Sequence, residues 1–254
     1  MNLPYIIGEA GSCHEESIGR AVSLVKEAKK AGCDAVKFQF WSDPAKMRDR
    51  RNIAAPTYDT GSIKFSWLEP LHEACKGAEL AFACSVYLPE DVIRISPHVD
   101  VFKVSSFEAL DTRLTNEVLR LKGDRPFFIS TGMQDEADDH QLPKDAIYLH
   151  CVSAYPCPIA EANLGAIEPH EGYSDHTRMI FTGAMAVSAG ADYLEVHFRL
   201  QDTTNNCPDY VVALTPDELK RYVEWARTAA IMRGDGIKKV QESERDNMKY
   251  RVVS

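Results

Sequence analysis

Residues 5–40, YIIGEAGSCHEESIGRAVSLVKEAKKAGCDAVKFQF, decide the fold of this chain. Two short apolar runs, YIIGEA and AVKFQF, have the length and composition of strands. Between them, SIGRAVSLVKEAKKAG follows a helical pattern and ends at a glycine, as helices often do. A strand, a helix and a second strand in this order predict a βαβ unit of a parallel sheet.

The same alternation continues along nearly the whole chain. The further candidate strands are LAFACSV, VFKVSS, PFFIST, AIYLHCV, EGYSDH and YLEVHF, which makes eight strands in all. TRMIFTGAMAVSAGA at 177–191 is a candidate helix, and TPDELKRYVEWARTAAIM begins with Thr215, Pro216 and Glu218 placed as a capping box. Eight strands with alternating helices predict an α/β fold, the (β/α)8 TIM barrel, in a single domain over residues 1–254. A doubly wound open sheet is the alternative, weakened because no GxGxxG follows the first strand.

Composition excludes several classes of function. The 254 residues are 44% hydrophobic and 26% charged, which suits a globular enzyme-sized core. A formal net charge of −9 argues against general binding to nucleic acid or to an anionic membrane. We identify no membrane-spanning run and no signal peptide layout. The seven cysteines lack CxxC spacing and fit free thiols in a reducing compartment, so we expect a cytoplasmic protein.

Polar residues stand where each predicted strand ends, which in a TIM barrel is the mouth that carries the chemistry. In strand order they are Glu9; Lys37 and Gln39; Ser85; Lys103, Ser106 and Glu108; Ser130 and Thr131; His150, Ser153 and Tyr155; Ser174, Asp175 and His176; Glu195 and His197. A single lysine or histidine in a strand is more often structural than functional. Polar residues at the ends of all eight strands favour one shared site.

The charges in the strands predict what this site binds. Lys37 and Lys103 lie in otherwise apolar strands, so each needs an anion, which is either a local carboxylate or a bound phosphate or carboxylate. The serine hydroxyls at the neighbouring strand ends favour an oxyanion. His176 and His197 come from neighbouring strands and could share one divalent ion, with positions left for water and substrate oxygens.

Several motifs, in their order and spacing, resemble the sialic acid synthase family over essentially the whole chain. They are KFQ at 37, KVSSFE at 103, STGM at 130, HCVSAYP at 150, GYSDHT at 172 and EVHF at 195. The resemblance implies a (β/α)8 barrel that condenses phosphoenolpyruvate with an aldehyde-bearing amino sugar to a 2-keto-3-deoxy sugar acid. It also implies a divalent metal, usually Mn²⁺, with Mg²⁺ or Co²⁺ as alternatives.

The resemblance also implies a role for each matching residue. Lys37, Ser85, Lys103, Ser106, Ser130 and Ser174 would bind phosphoenolpyruvate, and Gln39 would join the substrate site. Ser153 stands where the family usually has asparagine in the phosphate-binding loop. His176 and His197 would be the metal ligands and take part in catalysis, while Glu9 and Glu108 are candidates for acid/base work. Tyr155 and Asp209, the latter in CPDY, would contact the acceptor sugar.

The chain also departs from the family. Cys13 and Glu16 replace the usual asparagine and glycine of the first loop, and either alters acceptor specificity or makes a different surface loop. We interpret residues 41–66 as a long loop whose Arg48, Arg50 and Arg51 form a solvated cluster or reach an anionic acceptor. Cys207, beside Asp209, also merits attention. We expect no C-terminal antifreeze-like domain, so a separate protein of that kind, or a homodimer, could complete the site.

Two rival functions remain open from the sequence. One is a non-catalytic or regulatory barrel that binds a phosphorylated ligand or a partner protein. The other is an aldolase that forms a Schiff base on Lys103 or Lys37. The paired histidines argue against the aldolase, because such a reaction needs no metal.

Overall fold

The computed structural model describes residues 3–51, 57–135, 137–167 and 171–252. The strands are β1 Tyr5–Glu9, β2 Ala35–Phe40, β3 Ala81–Val86, β4 Val101–Val104, β5 Phe127–Ser130, β6 Ile147–His150, β7 Gly172–Asp175 and β8 Tyr193–His197. They are parallel and close into a barrel in chain order, β1 pairing with both β2 and β8. The predicted TIM barrel is therefore confirmed, and the open doubly wound sheet was wrong.

Helices cover the outside of the barrel. They are α1 Ile18–Ala31, α2 Pro44–Arg51, α3 Thr57–Thr60, α4 Leu68–Gly77, α5 Pro89–Ile95, α6 Thr112–Lys122, α7 Thr182–Ser188 and α8 Pro216–Arg233. Shorter 3-10 turns lie at Phe65–Trp67, Asp139–Gln141, Ile159–Glu161, Leu164–Ile167, Pro208–Val211 and Glu242–Tyr250. Such turns stand in place of α-helices in the described parts of 131–146 and 151–171. None of the described helices is long and apolar enough to cross a membrane.

The helix ends follow from the residues predicted for them. Ser17 accepts a hydrogen bond from the Arg20 amide at the start of α1, and Gly32 ends that helix at φ 88°, a conformation that glycine adopts without strain. The Thr215 and Glu218 capping box begins α8 as predicted. The predicted helix at 177–191 was too long, because α7 begins only at Thr182.

The reason for the late start is a local turn. Asp175 accepts hydrogen bonds from the backbone and hydroxyl of Thr177, and the Thr177 hydroxyl in turn accepts from the Met179 amide. These side-chain bonds offer the backbone an alternative to the first helical turn. The interpretation of 41–66 as one loop was also wrong, since α2, α3 and a 3-10 turn lie within it; its residues 52–56 fall outside the described part of the chain.

Inside the barrel, side chains change from apolar to polar along each strand. A lower layer contains Ile7, Ala35, Ala83, Val101, Phe128 and Leu149, which form their own apolar cluster. Two residues further along the respective strands stand Glu9, Lys37, Ser85, Lys103, Ser130 and Cys151. Because side chains alternate between the two faces of a strand, all of these positions face the interior. The apolar layer closes the bottom of the barrel, and the polar layer opens towards its carboxyl end.

Candidate active site

Two lysines and two glutamates meet in the polar layer of the barrel. Lys37 Nζ lies 2.9 Å from Glu9 Oε2 and 3.5 Å from Glu195 Oε2. Lys103 Nζ lies 3.9 Å from Glu195 Oε1. None of these four residues is more than 4% exposed, so their charges compensate one another away from bulk solvent. The buried Lys–Glu pairs that the sequence left open are therefore present.

The two lysines are compensated by the glutamates to different degrees, and the directions of their pKa shifts differ accordingly. Burial opposes the ionisation of Glu195, but Lys103 and Lys37 outweigh it and lower the pKa of Glu195 to about 2. Burial also opposes the charge of Lys37, yet Glu195 and Glu9 raise its pKa. Burial lowers the pKa of Lys103, because Glu195 compensates only partly and Lys37 adds repulsion. Lys103 is thus the cation that a bound anion would stabilise most.

Hydroxyl groups surround the two ammonium groups. Lys37 donates to Ser85 Oγ at 2.8 Å, and Lys103 donates to Ser130 Oγ at 2.6 Å. Ser174 donates to Glu195 Oε1 at 2.9 Å, and Ser106 Oγ accepts from the Gly132 amide at 3.0 Å. Cations and hydroxyl donors on one surface are the groups that bind a phosphate or carboxylate.

His176 and His197 lie next to each other above this layer, with ring centroids 5.5 Å apart. His176 Nδ1 is 2.7 Å from the Val152 carbonyl oxygen, so Nδ1 carries the proton and Nε2 keeps a lone pair. Burial lowers the pKa of His176 to about 4, which leaves the ring neutral at pH 7. His197 Nδ1 is buried without a hydrogen-bond partner among the described residues. Two neighbouring imidazoles fit a divalent metal ion, because histidine ring nitrogens are common ligands of such ions.

The described residues offer no further side-chain ligands to complete the coordination of a metal ion held by these two histidines. Among the described residues, no set of three histidine, cysteine, aspartate or glutamate groups could hold a metal ion. Two imidazoles would leave several positions for water and substrate oxygens, which is the arrangement of a Lewis-acid site rather than a structural one.

Asp209 and Tyr155 stand beside the histidines. Asp209 Oδ1 lies 3.6 Å from His197 Nδ1, and its other oxygen accepts from the Ser12 amide at 2.7 Å. The ring of Tyr155 lies 4.2 Å from that of His176, between centroids. Both residues therefore line the cavity, and their contacts with an acceptor stay a prediction.

All these groups line one cavity of about 280 Å³. Its walls include most of the predicted site residues, namely Glu9, Lys37, Gln39, Ser85, Lys103, Ser106, Ser130, Tyr155, Ser174, His176, His197 and Asp209. The sequence profile of the NeuB family matches residues 24–238, which contain all of these twelve wall residues except Glu9. The chain belongs to the NeuB family.

Relatives and solved structures agree with this assignment. An uncharacterized protein of Methanocaldococcus jannaschii is 34% identical, over 95% of this chain and 75% of the relative. The pseudaminic acid synthase of Campylobacter jejuni is 28% identical, over 91% of this chain and 75% of the relative. The crystal structure of a sialic acid synthetase from Leptospira borgpetersenii superposes with a TM-score of 0.88 at 25% identity, over 98% of this chain and 92% of that one.

Two predicted site residues are not among the cavity walls of this NeuB barrel. Glu108 accepts two hydrogen bonds from Arg51 Nη2, at 2.7 and 2.9 Å, and one from Ser105. It lines a neighbouring pocket, so acid/base work by Glu108 has no support in this arrangement. Ser153 Oγ is buried without a hydrogen-bond partner among the described residues, close to Gly132, where an added Cβ would meet it at 2.4 Å.

Some wall residues of the NeuB site had no role assigned from sequence. Glu195 was expected at the mouth, but its contacts with both lysines could not be foreseen. Tyr87, directly after β3, donates to Gln39 and has no counterpart in the motifs that indicated the site. Its position one residue beyond the end of β3, two residues after Ser85, was the available sign in the sequence.

Most of the residues at which this chain departs from the family pattern lie away from the cavity or pair with other side chains. Cys13 is buried with its sulfur 3.2 Å from that of Cys207, while Glu16 is exposed and does not line the cavity. Arg48, Arg50 and Arg51 each pair with a carboxylate, on Asp59, Asp111 and Glu108 respectively. Of the three arginines, Arg51 lines the cavity.

Proposed function

We propose that the chain condenses phosphoenolpyruvate with an aldehyde-bearing amino sugar, giving a 2-keto-3-deoxy sugar acid and phosphate. The observation that carries this proposal is the cavity that is lined both by two buried lysines with their serine hydroxyls and by two neighbouring histidines. The family membership and the relatives named as sugar acid synthases support the same reaction class.

The lysine side of the cavity suits phosphoenolpyruvate. Lys103 is only partly compensated by Glu195, so a phosphate or carboxylate beside it would recover the cost of burying the ammonium. Ser130 and Ser106 would donate to the same anion, with Lys37, Ser85 and Ser174 holding the other end. Ser153 offers a buried hydroxyl that still lacks a partner among the described residues.

The histidine side suits the aldehyde. His176 and His197 would hold a divalent ion, for which we propose Mn²⁺, and this ion when bound would supply Lewis-acid polarisation of the aldehyde. Tyr155 and Asp209 would orient the acceptor so that its carbonyl carbon faces C3 of phosphoenolpyruvate. Holding the two reactants in contact supplies a large part of the rate enhancement by itself.

The reaction balances with one water. C3 of phosphoenolpyruvate attacks the aldehyde carbon, whose oxygen takes up a proton and becomes a hydroxyl group. Water adds at C2 and gives up its protons, and the C–O bond to phosphate breaks to leave the 2-keto acid and inorganic phosphate. Glu9 would handle the proton of that water, since burial raises the pKa of this carboxyl group, although Lys37 and His197 act against the rise.

A second candidate has one observation in its favour. The lowered pKa of Lys103 is what an amine nucleophile requires, so an aldolase that forms a Schiff base on Lys103 stays in competition. Borohydride reduction in the presence of a keto acid, without metal, would trap such an enzyme irreversibly.

The experiment is phosphate release by the purified chain with Mn²⁺, phosphoenolpyruvate and a panel of acceptors. The panel contains N-acetylmannosamine, its 6-phosphate, di-N-acetylated 6-deoxyhexoses and simple aldoses. We expect release that depends on one acceptor class and stops when metal is chelated. Binding of phosphoenolpyruvate with no release for any acceptor would instead favour a non-catalytic barrel.

A further inference from the structure

Tyr87 is joined to Glu9 by a short chain of hydrogen bonds across the cavity wall. Its hydroxyl donates to Gln39 Oε1 at 2.9 Å, and Gln39 Nε2 donates to Glu9 Oε1 at 2.9 Å. All three residues line the cavity, and Tyr87 and Glu9 are no more than 7% exposed. The hydroxyl of Tyr87 therefore acts on Glu9 through one intervening side chain.

The direction of this chain follows from the chemistry of its ends. A carboxylate paired with Lys37 at 2.9 Å has only acceptor oxygens, so Gln39 must turn its NH₂ group towards Glu9. The Gln39 carbonyl oxygen then faces Tyr87, which must supply the proton. One orientation of the amide satisfies all three groups: the Glu9 carboxylate sets it, and the Tyr87 hydroxyl holds the carbonyl end of the amide in place.

The ring of Tyr87 is held independently of its hydroxyl. Trp41 packs edge-on against it at 5.3 Å between ring centroids, and the Arg51 guanidinium lies 5.5 Å from the ring centroid. A phenylalanine would keep both contacts. The hydroxyl therefore adds little to packing, and its removal tests the hydrogen-bond chain alone.

We infer that Tyr87 is a positioning residue for Glu9, acting through the amide of Gln39. The inference rests on the proposed function in which Glu9 handles the proton of the added water. Without the Tyr87 hydroxyl, the Gln39 carbonyl oxygen loses its donor, so the Gln39 side chain is held at one end only and its NH₂ group no longer stays fixed on Glu9.

The kinetic test compares Tyr87→Phe with Tyr173→Phe. Tyr173 is also buried, but its hydroxyl has no hydrogen-bond partner among the described residues and does not line the cavity. We expect Tyr87→Phe to lower kcat about five- to tenfold, the effect of one lost hydrogen bond, with KM for phosphoenolpyruvate unchanged. Tyr173→Phe should leave both constants unchanged. An unchanged kcat in Tyr87→Phe would overturn the inference.

A double-mutant cycle tests whether the effect passes through Gln39. In a Gln39→Leu background, Tyr87→Phe should lower kcat no further, because the connecting amide is gone. If the two substitutions instead lower kcat independently, Tyr87 acts by another route and the inference fails.

A third readout needs no turnover and so separates this inference from the proposed function. In NMR spectra of the ¹⁵N-labelled chain, the side-chain amide signals of Gln39 are those lost in Gln39→Leu. Tyr87→Phe should shift them, and Tyr173→Phe should not. Shifted signals in a chain that releases no phosphate with any acceptor would support the hydrogen-bond chain while refuting the synthase; unmoved signals would refute the chain itself.

Discussion

Lys103 is the residue whose charge depends most on a bound anion. In Lys103→Met we expect the Kd for phosphoenolpyruvate to rise about ten- to a hundredfold, the usual effect of removing a hydrogen bond to a charged group. The free energy of unfolding should also fall, by up to about 3–5 kcal/mol, because the buried Glu195 loses one of its two cations and keeps only Lys37. Calorimetric titration and denaturant unfolding measure the two quantities.

Lys122→Met is the matched control, since Lys122 pairs with Asp145 at the end of α6 and does not line the cavity. Its Kd for phosphoenolpyruvate should equal that of the unmodified chain. Equal affinity in Lys103→Met would contradict the assignment of Lys103 to the anion site.

His176 tests the metal hypothesis at the same scale. His176→Ala removes one of the two imidazoles that would hold the ion, so Mn²⁺ binding and metal-dependent phosphate release should both be lost. Electron paramagnetic resonance of added Mn²⁺ follows binding directly. His98→Ala, in the turn before β4 and paired with Glu69, should change neither quantity. Full activity of His176→Ala after chelation would refute a metal-dependent reaction.

At the scale of single elements, Gly172 allows β7 to approach β8 closely, because it has no side chain. A Cβ at Gly172 would lie 2.4 Å from the Tyr193 carbonyl oxygen, and backbone at that distance cannot yield without opening the barrel. We expect Gly172→Ala to lower the free energy of unfolding by at least about 1–3 kcal/mol. Denaturant unfolding monitored by circular dichroism measures this.

Gly77→Ala makes the same chemical change at the end of α4, where nothing lies within 4 Å of the added carbon. Alanine suits a helix better than glycine, so this variant should gain about 0.5–1 kcal/mol. Equal stabilities for the two variants would mean that the close approach of β7 and β8 is not required.

Strands and site residues were predictable from sequence to different degrees. The positions of the strands followed from short apolar runs. The polar side chains that stood out, because such groups are unusual in or directly after an apolar strand, were those of Lys37, Lys103, His176 and His197. The start of α7 was missed because a side-chain turn at Asp175 competes with the helix. The pairing of Glu108 with Arg51 could not be predicted, because the two residues are 57 positions apart in sequence.

At the scale of the whole molecule, the barrel separates two tasks along its axis. The lower interior layer is apolar and closes the structure, while the layer above it holds the compensated charges and opens to the cavity. Residues from many strands then meet without any long loop having to place them. The interactions between strands that set this layer, such as Glu195 with both lysines, depend on barrel closure and leave no local pattern in the sequence.

The most direct measurement follows the oxygen that joins C2 of phosphoenolpyruvate to phosphorus. The purified chain, Mn²⁺ and the acceptor that supports turnover are incubated with phosphoenolpyruvate carrying ¹⁸O at this bridging position, and both products are analysed by mass spectrometry. Our account predicts that the label leaves with phosphate, in equal amount to the sugar acid formed, and only when the acceptor is present. Label retained in the keto acid, or phosphate released without acceptor, would contradict it.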